Sequence, residues 1–131
     1  MLISQFAARA GLPVDTVRYY VRLGLLRPED SAKGGANPYQ VFSDEHLLAA
    51  QIIRTAQSLG MSLKEIAAIS QERRAGGMTR ERSAKILRTQ LDRLDRKAAE
   101  LAAMKLYLAT KISWLEGGEK GQPPTFGPSD A

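Results

Sequence analysis

The spacing of apolar positions changes several times along this chain, and each change predicts a different element. Residues 4 to 10, with Phe6 and Ala7 as inward candidates, predict a short first helix with Ser4 as its N-cap and Gly11 as its stop. Pro13 stands near the start of a second helix, where its missing N–H costs nothing, and Gly24 is a natural stop after Leu23. Two short helices joined by a glycine-containing turn make a helix-turn-helix. From Leu25 to Phe42 helical spacing gives way to Pro28, Gly34, Gly35, Asn37 and Pro38, between short apolar ends at Leu25-Leu26 and Tyr39 to Phe42. That pattern predicts a hairpin or wing, with Tyr39 and Phe42 able to pack or to touch backbone phosphate. Ser43 then caps a third helix carrying Leu47, Leu48, Ile52, Ile53 and Leu59, stopped by Gly60. Ser62-Leu63-Lys64-Glu65 is a capping box for a fourth, with Leu63, Ile66 and Ile69 inward.

Beyond Gly76-Gly77 the pattern lengthens. Thr79 to about Glu116 contains neither glycine nor proline. At 1.5 Å per residue this is a helix of roughly 55 to 60 Å, longer than a domain of about 75 residues can cover. Leu87, Leu91, Leu94, Ala98, Leu101, Lys105, Leu108, Ile112 and Leu115 follow alternating steps of four and three, the seam of a coiled coil. Left alone, the seam would face water. An intramolecular helical hairpin would need a second helix of matching length, and the chain offers none, so a second copy is the expected cover. At Lys105, which interrupts the stripe, Met104 is able to fill the space while the lysine stem reaches solvent. From Gly117 onward, glycine and proline predict a mobile tail. The expected organisation is therefore a unit at 1–75, a dimerisation helix at 79–116 and a flexible tail at 117–131.

Composition narrows the partners. With 44% hydrophobic and 25% charged residues the chain is an ordinary globular sequence. No apolar run approaches the roughly 20 residues of a spanning helix and no leader pattern precedes the first element, so a cytoplasmic protein is expected. The absence of cysteine excludes disulfides and thiolate metal sites, and the single histidine, His46, leaves any metal to carboxylates; no cofactor is expected. The net charge of +5 suits a polyanion. However, residues 1–70 hold seven Lys/Arg against six Asp/Glu, whereas residues 71–116 hold eleven against six. A DNA-reading unit at the N-terminus would thus act through a few placed cations.

Candidate chemistry concentrates in Val14-Asp15-Thr16-Val17-Arg18-Tyr19-Tyr20. On a helix set after a tight turn, Thr16, Arg18 and Tyr19 supply polar, cationic and aromatic groups suited to a nucleic-acid groove, which makes double-stranded DNA the first partner to consider. The plainer reading is a solvated arginine beside two core aromatics; its position after a helix-turn-helix turn and before a Gly-rich wing favours DNA. Tyr107 and Trp114, seven residues apart, share a helix face and would either pack or line an apolar effector pocket against the other protomer. His46 near Ser43 and Asp44 superficially resembles a hydrolytic trio, but crowding into one first turn describes capping and dipole-favoured acids, so no enzyme is expected. The arginines at 73, 74, 80, 82, 88, 93 and 96 are expected on a solvated face, with flanking DNA the alternative for the first few.

This order of elements, with Arg18-Tyr19-Tyr20, Gly24-Leu25-Leu26, the Gly-rich wing, Leu59-Gly60-Met61-Ser62-Leu63-Lys64-Glu65-Ile66 and a long terminal helix, closely resembles the MerR family of bacterial transcription regulators over about residues 2 to 116. The resemblance implies an all-α fold with a small β wing: a winged helix-turn-helix followed by a long dimerisation helix in an antiparallel coiled coil. It implies a homodimer that binds an inverted repeat in a promoter and distorts an overlong spacer for RNA polymerase when an effector is bound. Carried onto this chain, it makes Arg18 and Tyr19 groove and phosphate contacts, with Thr16 on a neighbouring face and Tyr20 packed beneath. Tyr39 matches the family's wing aromatic, Gln40 stands where arginine is usual, Phe42 where tyrosine is usual, and Pro38 replaces a common glycine. Gln40 can still donate to a phosphate. Arg54, on the third helix, is counted with these DNA contacts, and Gln57 falls near a position that often carries a basic residue. Metal- and redox-sensing relatives use cysteines, which this chain lacks, and drug-sensing relatives append a large domain where only about 15 residues follow. Either a small-molecule effector binds in the dimer body or something other than a ligand sets the protein. The alternative is a coiled-coil adaptor whose N-terminal helices bind protein.

Overall fold

A computed structural model of the chain describes residues 1–30 and 39–127. They form helices α1 (Ile3–Ala10) and α2 (Val14–Arg22), strands β1 (Glu29–Asp30) and β2 (Gln40–Val41), and helices α3 (Asp44–Ser58), α4 (Leu63–Arg74) and α5 (Arg80–Glu116). The chain divides into two compact units, Met1–Lys85 and Ile86–Ala131. The first extends ten residues past the expected boundary at 75 and takes in the opening turn of α5.

In the first unit α1 ends as the sequence predicts. Gly11 takes φ +68°, and the Gly11 and Leu12 N–H groups turn back to the Ala8 and Ala7 carbonyls at 3.3 and 3.0 Å. Its start differs from expectation. Leu2, not Ser4, occupies the N-cap position, without a side-chain cap bond, and Ser4 lies inside the helix. The reason is not local. The Met1 ammonium donates to the Phe42 carbonyl, and the Phe42 N–H donates to the Met1 carbonyl, each at 2.7 Å. This pairing holds the first residue beside the end of β2, so the helix begins directly after it. In α2, Pro13 provides the extended N-cap and Gly24, at φ +76°, ends the helix just after Leu23. The Leu25 and Leu26 N–H groups then close on the Tyr20 carbonyl at 2.9 and 3.3 Å.

The wing is a two-stranded antiparallel ladder pairing Glu29 with Val41 and Asp30 with Gln40. Gly34, Gly35, Asn37 and Pro38 lie outside the described residues. Phe42 corrects the phosphate-contact reading: it is 1% exposed and stacks on Phe6 with ring centroids 4.5 Å apart. A ring so placed stabilises the fold and does not reach a phosphate. Around this stack are buried Ala7, Val17, Tyr20, Leu26, Ala50, Ile53 and Ile66, supplied by α1, α2, the segment after α2, α3 and α4. Each of the larger side chains contributes about 1.5–3 kcal/mol by leaving water.

Both predicted caps are present on α3 and α4. Ser62 accepts from the Glu65 N–H at 3.1 Å while the Ser62 N–H reaches the Glu65 carboxylate, completing the capping box. On α3 the box is Ser43 with His46, whose Nδ1 accepts from the Ser43 N–H at 2.9 Å. A ring nitrogen that accepts there leaves Nε2 as the donor, and Nε2 lies 3.0 Å from the Arg27 carbonyl. Both nitrogens of His46 are therefore engaged in fastening the segment before the wing to α3.

In the second unit α5 runs on without a break to Glu116. Its seam residues lie open along its length: Leu87 is 61% exposed, Leu101 59% and Leu108 57%. The residues after Glu116, expected to form a tail, turn back along the last turns of the helix, where Phe126 meets the ring of Tyr107.

Candidate nucleic-acid interface

Helix α2 sorts its side chains by the helical period. Val17 and Tyr20, three apart, face the core, which leaves Arg18 and Tyr19 outward and Thr16 half-buried at the edge. The Arg18 guanidinium lies 3.5 Å from the Asp15 carboxylate, with both side chains exposed. Pairs of this kind contribute about 0–1 kcal/mol, so Asp15 orients Arg18 without holding it back from an external phosphate or base. One turn on, the Arg22 guanidinium sits over the Tyr19 ring, 5.5 Å from its centroid. Arg22 was absent from the sequence-derived site; its spacing of three from Tyr19 was the available signal.

Tyr20 fixes the rotation of this helix. Its ring is buried and its hydroxyl donates to Gln57 Oε1 on α3 at 2.9 Å. Burial pushes the phenol above its ordinary range, with the nearby Arg54 charge opposing the shift, so the hydroxyl stays a donor at neutral pH. Gln57 thereby positions the recognition helix, a role that no local pattern announced. Arg54, expected at the DNA, donates through Nη1 to the Ala10 carbonyl at 3.2 Å, at the C-terminal end of α1. There it joins Arg9, Leu48, Gln51 and Thr55 around a shallow surface groove between α1 and α3.

Tyr39, 62% exposed, and Gln40 stand on the wing. Among the described residues no hydrogen bond ties either side chain to α2. The structure thus brings Thr16, Arg18 and Tyr19 together on one helix, adds Arg22, and presents Tyr39 with Gln40 and Arg54 from two other places. Tyr107 and Trp114 have separate partners: Tyr107 faces Phe126, with centroids 5.5 Å apart, while the Trp114 indole N–H donates to the Gly121 carbonyl at 3.3 Å. Among the described residues no helix is long and apolar enough to cross a membrane.

Where α4 gives way to α5, Arg82 Nε donates to Glu72 Oε2 at 2.7 Å. The bond lowers the Glu72 carboxyl from its usual range and raises the Arg82 guanidinium. Gly76 between them takes φ +84°, a conformation that side chains rarely adopt.

A helix-turn-helix with a two-stranded wing and an outward arginine–tyrosine face, followed by one long helix with an open apolar seam, defines a winged helix-turn-helix DNA-binding protein. Comparison with known proteins gives the family. The model for MerR HTH family regulatory proteins matches residues 1–73, and that for the MerR DNA-binding region matches residues 50–111. The chain is 29% identical over 128 residues to the HTH-type transcriptional regulator HmrR of Rhizobium leguminosarum bv. viciae, covering 95% of this chain and 93% of that protein. It is 33% identical over 112 residues to the mercuric resistance operon regulatory protein of Shigella flexneri, covering 86% and 74%. Among solved structures, a MerR family transcriptional regulator from Bacillus cereus superposes with a TM-score of 0.68 at 24% identity, covering 93% and 87% of the two chains. HiNmlR, a MerR family regulator lacking the sensor domain and bound to promoter DNA, superposes with a TM-score of 0.62 at 22% identity, covering 90% and 91%. The chain belongs to the MerR family and is a transcription regulator of that type, not an enzyme, and the adaptor reading is not favoured.

Proposed function

We propose that this regulator binds a promoter operator as a homodimer, each copy presenting Arg18 and Tyr19 of α2 to one half of an inverted repeat. Thr16 supports them from the helix edge, Tyr39 and Gln40 reach phosphates from the wing, and Arg54 adds a cation from α3. The observation that carries this reading is the face of α2 itself: an arginine and a tyrosine held outward by burial of Val17 and Tyr20, with Tyr20 anchored to Gln57. Pairing of two copies is supported by the open seam Leu87, Leu91, Leu94, Ala98, Leu101, Leu108, Ile112 and Leu115, which an antiparallel coiled coil would cover. The promoter-bound state of HiNmlR supports promoter DNA as the target; RNA polymerase as the partner at that site and distortion of the spacer as the mode of action belong to the same proposal. Relatives include regulators of mercuric resistance. This chain holds no cysteine and offers no thiolate to a soft metal ion.

Selection from a pool of random duplexes by the purified chain tests the reading. Enrichment of a two-fold symmetric site, with binding that weakens modestly as salt rises, is the expected result. Enrichment of no symmetric sequence would overturn it.

A further inference from the structure

Helix α2 carries a carboxylate in the middle of its cationic face. At 100° per residue, Arg22, Asp15 and Tyr19 fall roughly 40°, 60° and 100° around the helix from Arg18, while the buried Val17 and Tyr20 lie roughly 100° and 160° round the other way. Asp15 thus stands opposite the core, where a duplex that meets Arg18 and Tyr19 meets it too. Its side chain is 96% exposed, and its one partner among the described residues is Arg18, 3.5 Å away. Asp15 does not cap the helix: the N-cap is Pro13, and no side-chain cap bond forms there.

A carboxylate in that place is repelled by phosphate oxygens, so binding favours a sequence in which it accepts from a base edge. The major groove offers two such donors, cytosine N4 and adenine N6. Adenine sets the N7 lone pair beside N6, and a carboxylate, which has no proton to give, meets that lone pair unfavourably; cytosine presents its amino group alone. The Arg18 guanidinium carries donors only and matches guanine O6 and N7. Its 3.5 Å separation from the Asp15 carboxylate is close to the roughly 3.4 Å rise between successive base pairs, so the two groups address neighbouring pairs. Asp15 is the second residue of α2, and the N-terminal residues of a recognition helix are those that reach base edges.

Resting on the operator-binding reading, we propose that Asp15 is a specificity residue: in each half of the operator it accepts from the N4 amino group of a cytosine, in the base pair next to a guanine read by Arg18. Selection from random duplexes is run with the full wild-type chain, Asp15→Asn and Asp15→Ala, and each selected site is then titrated with every base at the position in question. The wild type is expected to enrich cytosine in the pair beside that guanine, and to lose about tenfold in affinity when the cytosine is changed. Asp15→Asn should exchange cytosine for adenine, because an amide donates to N7 and accepts from N6 together, and should leave the guanine in place. Asp15→Ala should bind all four bases there within about twofold and hold non-specific duplex more tightly, since one repulsion from the phosphates is gone. Both variants should keep wild-type helicity. A purely structural part in α2 would instead lower affinity for every sequence alike and leave the wild-type base preference intact in both variants, and that result would overturn the proposal. So would a wild-type site with no cytosine in the pair next to the guanine. A symmetric site whose bases ignore Asp15 sinks this assignment and keeps the regulator reading. No symmetric site from any of the three chains sinks the regulator reading and this assignment with it.

Discussion

The two units dispose of their apolar side chains in opposite ways. In Met1–Lys85 Phe6, Val17, Tyr20, Leu26, Phe42 and Ile53 turn inward to form one core, while Leu2, Leu48, Ile52 and Leu59 stay exposed. Along α5 the leucines are spaced just as regularly yet stay open to water. The same burial free energy per side chain is thus realised at folding in the first unit and, in the proposed dimer, on association in the second. A change in one unit should consequently appear as lost stability, and a change in the other as lost assembly.

The largest effect should come from the seam. Replacing Leu94 and Leu101 together by glutamate should give monomers by light scattering and lower operator affinity by more than about a hundredfold, because linked half-site binding is lost. Circular dichroism should show the first unit still folded. A wild-type chain that is itself monomeric at micromolar concentration would remove the contrast. The converse change, Phe42→Ala, should cost about 3–5 kcal/mol in urea unfolding of the first unit, as expected for a deleted core ring. If Phe42 were a phosphate contact instead, stability would hold and only DNA binding would fall.

A smaller effect belongs to the surface between these extremes. Arg18→Ala should weaken operator binding by about 1–3 kcal/mol in a salt-controlled titration, without change in melting temperature or oligomeric state. Unaltered affinity would remove Arg18 from the interface. The smallest effect concerns the clasp between α4 and α5. Because Arg82 holds the Glu72 carboxyl below its ordinary range, the contribution of this pair is complete above the unfolded carboxylate range and is lost as pH falls through the lowered value. The melting-temperature difference between wild type and Glu72→Gln should therefore be slight at neutral pH and vanish in acid. A difference that persisted in acid would assign the effect to packing instead of charge.

Much of the architecture was legible because its signals are local. Gly11, Gly24 and Gly60 mark helix ends through backbone freedom, Ser43 and Ser62 through side chains that bond three residues ahead, and the seam of α5 through simple periodicity. What escaped was set by distant pairs. Ser4 was misread as a cap because the start of α1 is decided by Met1 meeting Phe42, 41 residues away. Phe42 was left open between packing and a phosphate contact, and only its stack on Phe6 decides for packing. Gln57 and Tyr20 are 37 residues apart, and nothing near either one announces the bond. The return of the chain at Glu119 depends on Phe126 finding Tyr107, beyond the reach of composition.

The doubled bond between Met1 and Phe42 bears on how the molecule can be handled. An affinity tag fused ahead of Met1 would turn that ammonium into an uncharged amide and thread extra polypeptide past the root of the wing. Such a fusion would disturb the strand that carries Gln40, so the first unit of recombinant material with its purification handle at the front would melt lower than that of the untagged chain.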